Sequence, residues 1–225
     1  MKEIRRVKKI TEVHDIYGYE KPRHPLVTVL PIDERMTQFD YGNINYVFDF
    51  YQISLKEGIR GTFSYGRNDY DFQEGTMTYI KPNQVEKVEP SEVSEESRGW
   101  TLIFHPDLLR KSELGRTIED YSFFGYEVHE ALHLSDEEKQ SLTDLSEKIK
   151  KEYQQNIDKH SQDIIIANIE MILKYCERYY DRQFYTRTNL NKDLISRFES
   201  VMRSYYQSDK PSELGVLSVK YCAQS

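Results

Sequence analysis

Thr62-Phe-Ser-Tyr-Gly-Arg-Asn-Asp-Tyr-Asp-Phe-Gln-Glu-Gly-Thr-Met-Thr-Tyr-Ile80 decides the fold class of this chain. Aromatic and β-branched residues fill 62–65, 70–73 and 76–80, and turn residues separate them at Gly66-Arg-Asn-Asp69 and Glu74-Gly75. Such runs are too short for helices and read as strands joined by hairpins.

The same texture extends outward on both sides. His24-Pro-Leu-Val-Thr-Val-Leu-Pro31 reads as a short apolar strand. Tyr46-Val-Phe-Asp-Phe-Tyr-Gln-Ile-Ser54 reads as a longer one, apolar on both faces in places and so covered on both sides. Pro82-Asn83 stops the strand before it, and Trp100-Thr-Leu-Ile-Phe104 is the last strand. The acidic stretch from Glu86 to Arg98 reads as an exposed loop. Many short strands at close spacing indicate a sandwich or a barrel.

From Ser135 the period changes. Ser135 and Glu138 have the spacing of a capping box, and Leu142, Leu145, Ile149 and Tyr153 follow on one helical face. A second helix is expected over 161–182, with Ile165, Ile169, Ile172, Leu173, Cys176 and Tyr180 on one face. Asn191 is expected to cap a third. Pro106 starts a short helix that Gly115 can end. The apolar stripes fit two arrangements, packing on the strands or pairing with another subunit. Strands followed by helices give an α+β chain.

Composition narrows the function. The 225 residues carry a net charge of −7, whereas a nucleic-acid reader usually shows a basic footprint. No apolar run is long enough to span a bilayer, and the basic N-terminus lacks an apolar h-region. The two cysteines, Cys176 and Cys222, are far apart, as expected in a reducing, cytoplasmic compartment.

Few groupings carry chemistry. His129-Glu-Ala-Leu-His133 fits H-E-x-x-H literally, a pattern that binds zinc when helix runs through it. Here Ser135 reads as the N-cap of the next helix, and an N-cap residue is not helical. The match is read as chance, with no metal and no cofactor expected. The other histidines are scattered, and Gly58 and Gly61 lack the lysine and helix of a phosphate loop. Arg67 is expected to pair with Asp69, Asp71 or Glu74 across a turn.

Several segments resemble the sensory domain of AraC-type (AraC/XylS) transcription regulators, especially those of Bacteroidetes. They are His24-Pro-Leu-Val27, Tyr65 to Gly75, Ile80-Lys-Pro-Asn-Gln84, Gly99 to Leu109 and Glu130 to Ser135. Lys192 to Phe198 and Gly215 to Ala223 resemble that group's linker helix and the first helix of its DNA-binding domain. The resemblance implies a cupin-like β-barrel (a double-stranded β-helix or jelly roll) followed by an α-helical dimerisation segment. The boundaries expected are 1–125 for the sensory barrel, 126–208 for the helical dimerisation and linker region, and 209–225 for a truncated helix-turn-helix stub.

On this reading the chain is not an enzyme. It is a ligand-sensing homodimer that reaches DNA only through a missing C-terminal domain, with no membrane partner. A small-molecule effector, a sugar or other metabolite, would sit against Phe48, Phe50, Tyr65, Tyr79 and Trp100. The pairing face would be Ile165, Ile169, Ile172 and Cys176. The alternative is a cupin-type enzyme or sugar-binding protein, with a zinc peptidase through His129, Glu130 and His133 as its remote form.

Overall fold

The computed structural model describes residues 3–33, 35, 44–65, 68–72, 75–86, 97–124 and 132–206, with backbone alone at 3, 44, 59–65, 68–72, 85–86, 184–200 and 203–204. The expectations for Arg67, for most of the acidic loop, for His129 and Glu130, and for the 209–225 stub lie outside the described residues.

The α+β class is what the structure shows. Ten strands are described: β1 Glu3–Val7, β2 Val27–Pro31, β3 Ile44–Phe48, β4 Tyr51–Glu57, β5 Ile59–Tyr65, β6 Asn68–Phe72, β7 Thr76–Ile80, β8 Val85–Glu86, β9 Arg98–Phe104 and β10 Leu132–His133. Five α-helices accompany them: α1 Ile10–Tyr17, α2 Pro106–Leu109, α3 Leu114–Thr117, α4 Asp136–Gln154 and α5 Ser161–Tyr206. A five-stranded antiparallel sheet has the order β10-β7-β4-β9-β2, a three-stranded sheet the order β1-β3-β8, and β5-β6 form the hairpin. Among the described residues no strand pairing joins these sheets into one barrel.

The strand expected over 46–54 is two strands in two sheets. The chain leaves the small sheet at Asp49, whose N–H donates to the Val7 carbonyl at 3.0 Å. The Arg6 guanidinium donates to the Asp49 carboxylate at 2.7 Å and to the Asn83 side-chain oxygen. Phe50 then turns into a core formed with Val7, Ile10, Val13, Ile16, Leu30, Tyr46, Phe48 and Ile103. This core lies between the small sheet with α1 and the inner face of the large sheet.

Helix α4 packs on the other face at β2 and β9, with Phe123 and Phe124 against Tyr79 and Tyr51. Burial of Leu142, Leu145 and Ile149 seats α4. The Val29 N–H of edge strand β2 donates to the Tyr153 hydroxyl at 3.1 Å, so a backbone group that an open edge would expose is satisfied. The expected cap is present: the Glu138 N–H donates to Ser135 Oγ at 3.3 Å and the Ser135 N–H to Glu138 Oε2 at 2.9 Å. Ser135→Ala should cost about 1 kcal/mol, read as a lower urea midpoint with an unchanged slope.

Two expectations about helix ends are corrected. Gly115 lies inside α3 and does not end α2. Asn191 lies inside α5, which runs unbroken from Ser161 to Tyr206. No proline or glycine falls between those residues, so nothing forces a stop, and an interior asparagine costs well under 1 kcal/mol.

The chain divides into two compact units, Met1–Tyr179 and Tyr180–Ser225. The boundary expected at 125/126 falls inside the first of these units, in which α4 packs on β2 and β9. Among the described residues, no helix is long and apolar enough to cross a membrane.

Candidate functional site

Side chains alternate along a strand, and directly paired residues share a face. The register therefore sorts the large sheet into two surfaces. One carries Val29, Ile53, Leu55, Met77, Tyr79, Trp100, Leu102 and Phe104, all buried and all apolar or aromatic. This face lies under the helices: the Tyr79 ring centroid is 4.3 Å from that of Phe123, and the Trp100 indole N–H donates to Thr143 Oγ1 at 3.1 Å.

The opposite, inner face is also buried, yet it is largely polar. Thr28, Gln52, Ser54, Thr76, Thr78 and Thr101 are each less than a tenth exposed. A strand covered on both sides normally reads as a near-continuous apolar run, since each buried hydroxyl must recover the hydrogen bonds it gave up in water. Ser54 pairs with Thr78 on β7 and with Thr101 on β9, so three hydroxyls stand in one row across adjacent strands. Ser54 Oγ donates to Thr101 Oγ1 at 3.0 Å. Among the described residues, Thr78 Oγ1 is buried with no hydrogen-bond partner, as is Gln84 Nε2 just beyond β7. Orphaned polar atoms of this kind are rare in folded proteins, and a water, an ion or a ligand group can supply the missing partner.

His14 on α1 closes one side of this face. Its Nδ1 meets the Glu20 carbonyl, which only accepts, so Nδ1 carries the proton. Nε2 is then the acceptor, and the Thr28 hydroxyl donates to it at 3.0 Å. Burial holds the His14 pKa below its ordinary value, against the smaller opposing pull of the Glu20 carbonyl and Asp15, and burial lowers His24 as well. The unfolded chain therefore takes up these protons first as pH falls. Stability from both histidines is complete above about pH 6.5 and is lost as pH drops below it. Urea midpoints should rise with pH through that window, and His14→Gln should flatten the rise.

The side chains of Phe48, Phe50, Tyr79 and Trp100 are described. Phe48 and Phe50 lie in the core beside α1. The Tyr65 side chain is outside the described residues. Tyr79 and Trp100 lie on the helix-covered face, one register step away from the inner face, and Trp100 lines a cleft there. The pairing face is corrected. Ile165, Ile169, Ile172 and Cys176 are fully buried within the chain itself and have no surface to offer a partner. Burial pushes the Cys176 thiol up to about 12, slightly offset by a contact with the Tyr79 hydroxyl, so it is not a nucleophile at neutral pH.

His133 pairs with Thr76 as part of β10. The helix that H-E-x-x-H needs is thus absent at its second histidine. Among the described residues, no three His, Cys, Asp or Glu side chains are grouped to hold a metal ion.

The residues missed in the sequence are Gln52, Ser54, Thr78 and Thr101. Their signal was the polar-apolar alternation of Gln52-Ile-Ser-Leu55 and Thr76-Met-Thr-Tyr79 inside strands that also bear buried aromatics. No family model matches this chain, and no curated protein matches it.

Proposed function

We propose that this chain is the effector-sensing and dimerisation region of an AraC-type transcription regulator. Its strands form a cupin-like fold whose inner face takes a small polar effector, and DNA is reached through a further C-terminal domain. One observation carries the sensing role: the buried hydroxyl row of Thr78, Ser54 and Thr101, with Thr78 Oγ1 unpartnered among the described residues. A hydroxyl-rich or amide-bearing effector would supply the missing partner. Effector binding would favour one arrangement of the regulator over another, because a ligand shifts an equilibrium by its difference in affinity for the two states.

The pairing surface is sought on the outward side of α5, since its inward stripe is fully used. Ile164 and Met171 lie there, 43% and 46% exposed. Two measurements test the proposal. Thermal shift against a panel of neutral sugars, polyols and small amides should find a stabilising compound whose effect is lost on Ser54→Ala. Sedimentation at micromolar protein should show a dimer, and a monomer at every concentration would remove the dimerisation role.

A further inference from the structure

A cleft of about 400 Å³ opens between α4 and the helix-covered face of the large sheet, on the side opposite the hydroxyl row. Val29, Leu55 and Trp100 line it with apolar surface, and Arg98 and Lys139 line it with charge. That volume is at the small end of ligand pockets, enough for a single-ring molecule.

The charges in the cleft are unevenly satisfied. Arg98 directly faces Glu57 in the β4–β9 register, where opposite charges normally pair. Glu57 is drawn away instead: its Oε1 lies 3.0 Å from Lys139 Nζ, which also holds Asp136 Oδ1 at 2.7 Å. Lys150, the third cation of the lining, lies 3.5 Å from Glu147. Arg98 is left with no ion pair among the described residues. The Trp100 indole N–H is already given to Thr143, so what the indole offers a ligand is its ring.

We propose that this cleft binds a small, flat monocarboxylate. The Arg98 guanidinium takes the carboxylate in a two-pronged hydrogen bond, and the apolar ring lies against Trp100, Leu55 and Val29. A second negative charge on the ligand is disfavoured, because Glu57, Asp136 and Glu147 share the lining. A ligand seated there touches both the sheet and α4, and so braces one against the other.

Trp100 is the only tryptophan in the chain and lines the cleft, so its fluorescence responds to a ligand seated there. The probe is benzoate, with benzyl alcohol as its uncharged counterpart. Benzoate should give a saturable change in the millimolar range, and benzyl alcohol should bind about tenfold more weakly or worse. Arg98→Gln alters an exposed side chain and should weaken benzoate by a similar factor, with Arg98→Lys between the two. Thr78→Val, on the opposite face, should leave benzoate binding unchanged. No saturable change, equal binding of benzyl alcohol, an unaffected Arg98→Gln variant, or loss of binding in Thr78→Val would each overturn the assignment.

Discussion

Gly99→Ala should cost the fold about 4 kcal/mol or more, one of the largest losses expected of any single methyl group in this chain. Gly99 has φ of +134°, a region that side chains other than hydrogen rarely enter. A Cβ built there would lie 2.0 Å from the Leu55 carbonyl oxygen and 3.0 Å from the Leu55 carbonyl carbon. Both obstacles are backbone, so no rotamer change relieves the clash. Leu55 belongs to the β4–β9 ladder, which runs in register from Tyr51↔Phe104 to Glu57↔Arg98, and retreat would break the centre of the large sheet. The Gly99 carbonyl also accepts the Ile32 N–H at 3.0 Å and so helps hold β2 in place. Net stabilities of domains lie near 5–15 kcal/mol, so the variant should be mostly insoluble or unfold at very low urea. A midpoint close to that of the unaltered chain would mean that β4 and β9 are not paired in this register.

Ile169→Asp should likewise abolish the folded state, at a cost of about 4 kcal/mol or more. Ile169 is fully buried, among Ile165, Ile172, Leu173 and Cys176 on the inward stripe of α5. A carboxylate there loses its hydration and gains no partner, which is the expensive way to bury a charge. Met171→Asp, two residues on and 46% exposed, should leave the fold intact and, as a residue of the proposed pairing surface, act on the dimer alone. Circular dichroism and sedimentation on the pair separate two accounts of the stripe. A folded, monomeric Ile169→Asp chain would mean the stripe pairs subunits. An unfolded one, beside a folded Met171→Asp chain, places the stripe in the core.

These two residues also show what the sequence could and could not reveal. Local signals are legible: turn residues around the β5–β6 hairpin, and the serine and glutamate that cap α4, act on their own neighbours. Helix α1 carries a weaker signal, in Ile10, Val13 and Ile16 followed by Gly18, because the segment is short and begins among lysines. The stripe on α5 was equally visible, but amphipathicity does not say whether a chain's own sheet or a second chain covers it. The same limit applied to the strands. Alternation in Thr76-Met-Thr-Tyr79 shows that two faces differ, yet which face meets the helices depends on long-range register. Tyr79 and Trp100 lie on the helix-covered face and the threonines beside them on the inner one, a distinction only the pairing of β4 with β7 and β9 supplies. Asn191 suggested a cap because asparagine favours caps, but with no proline or glycine nearby the helix simply continues.

The central claim is that the inner face of the large sheet is kept polar for a ligand and not for the fold. The most direct measurement is the equilibrium unfolding free energy of Thr78→Val against the unaltered chain, in the absence of any effector. Valine matches threonine in shape and removes only the unpartnered hydroxyl. A buried hydroxyl without a partner costs about 1–3 kcal/mol, so the account predicts a more stable variant by about that amount. A variant less stable by about 1 kcal/mol would show that the hydroxyl makes a structural hydrogen bond, and would contradict the claim.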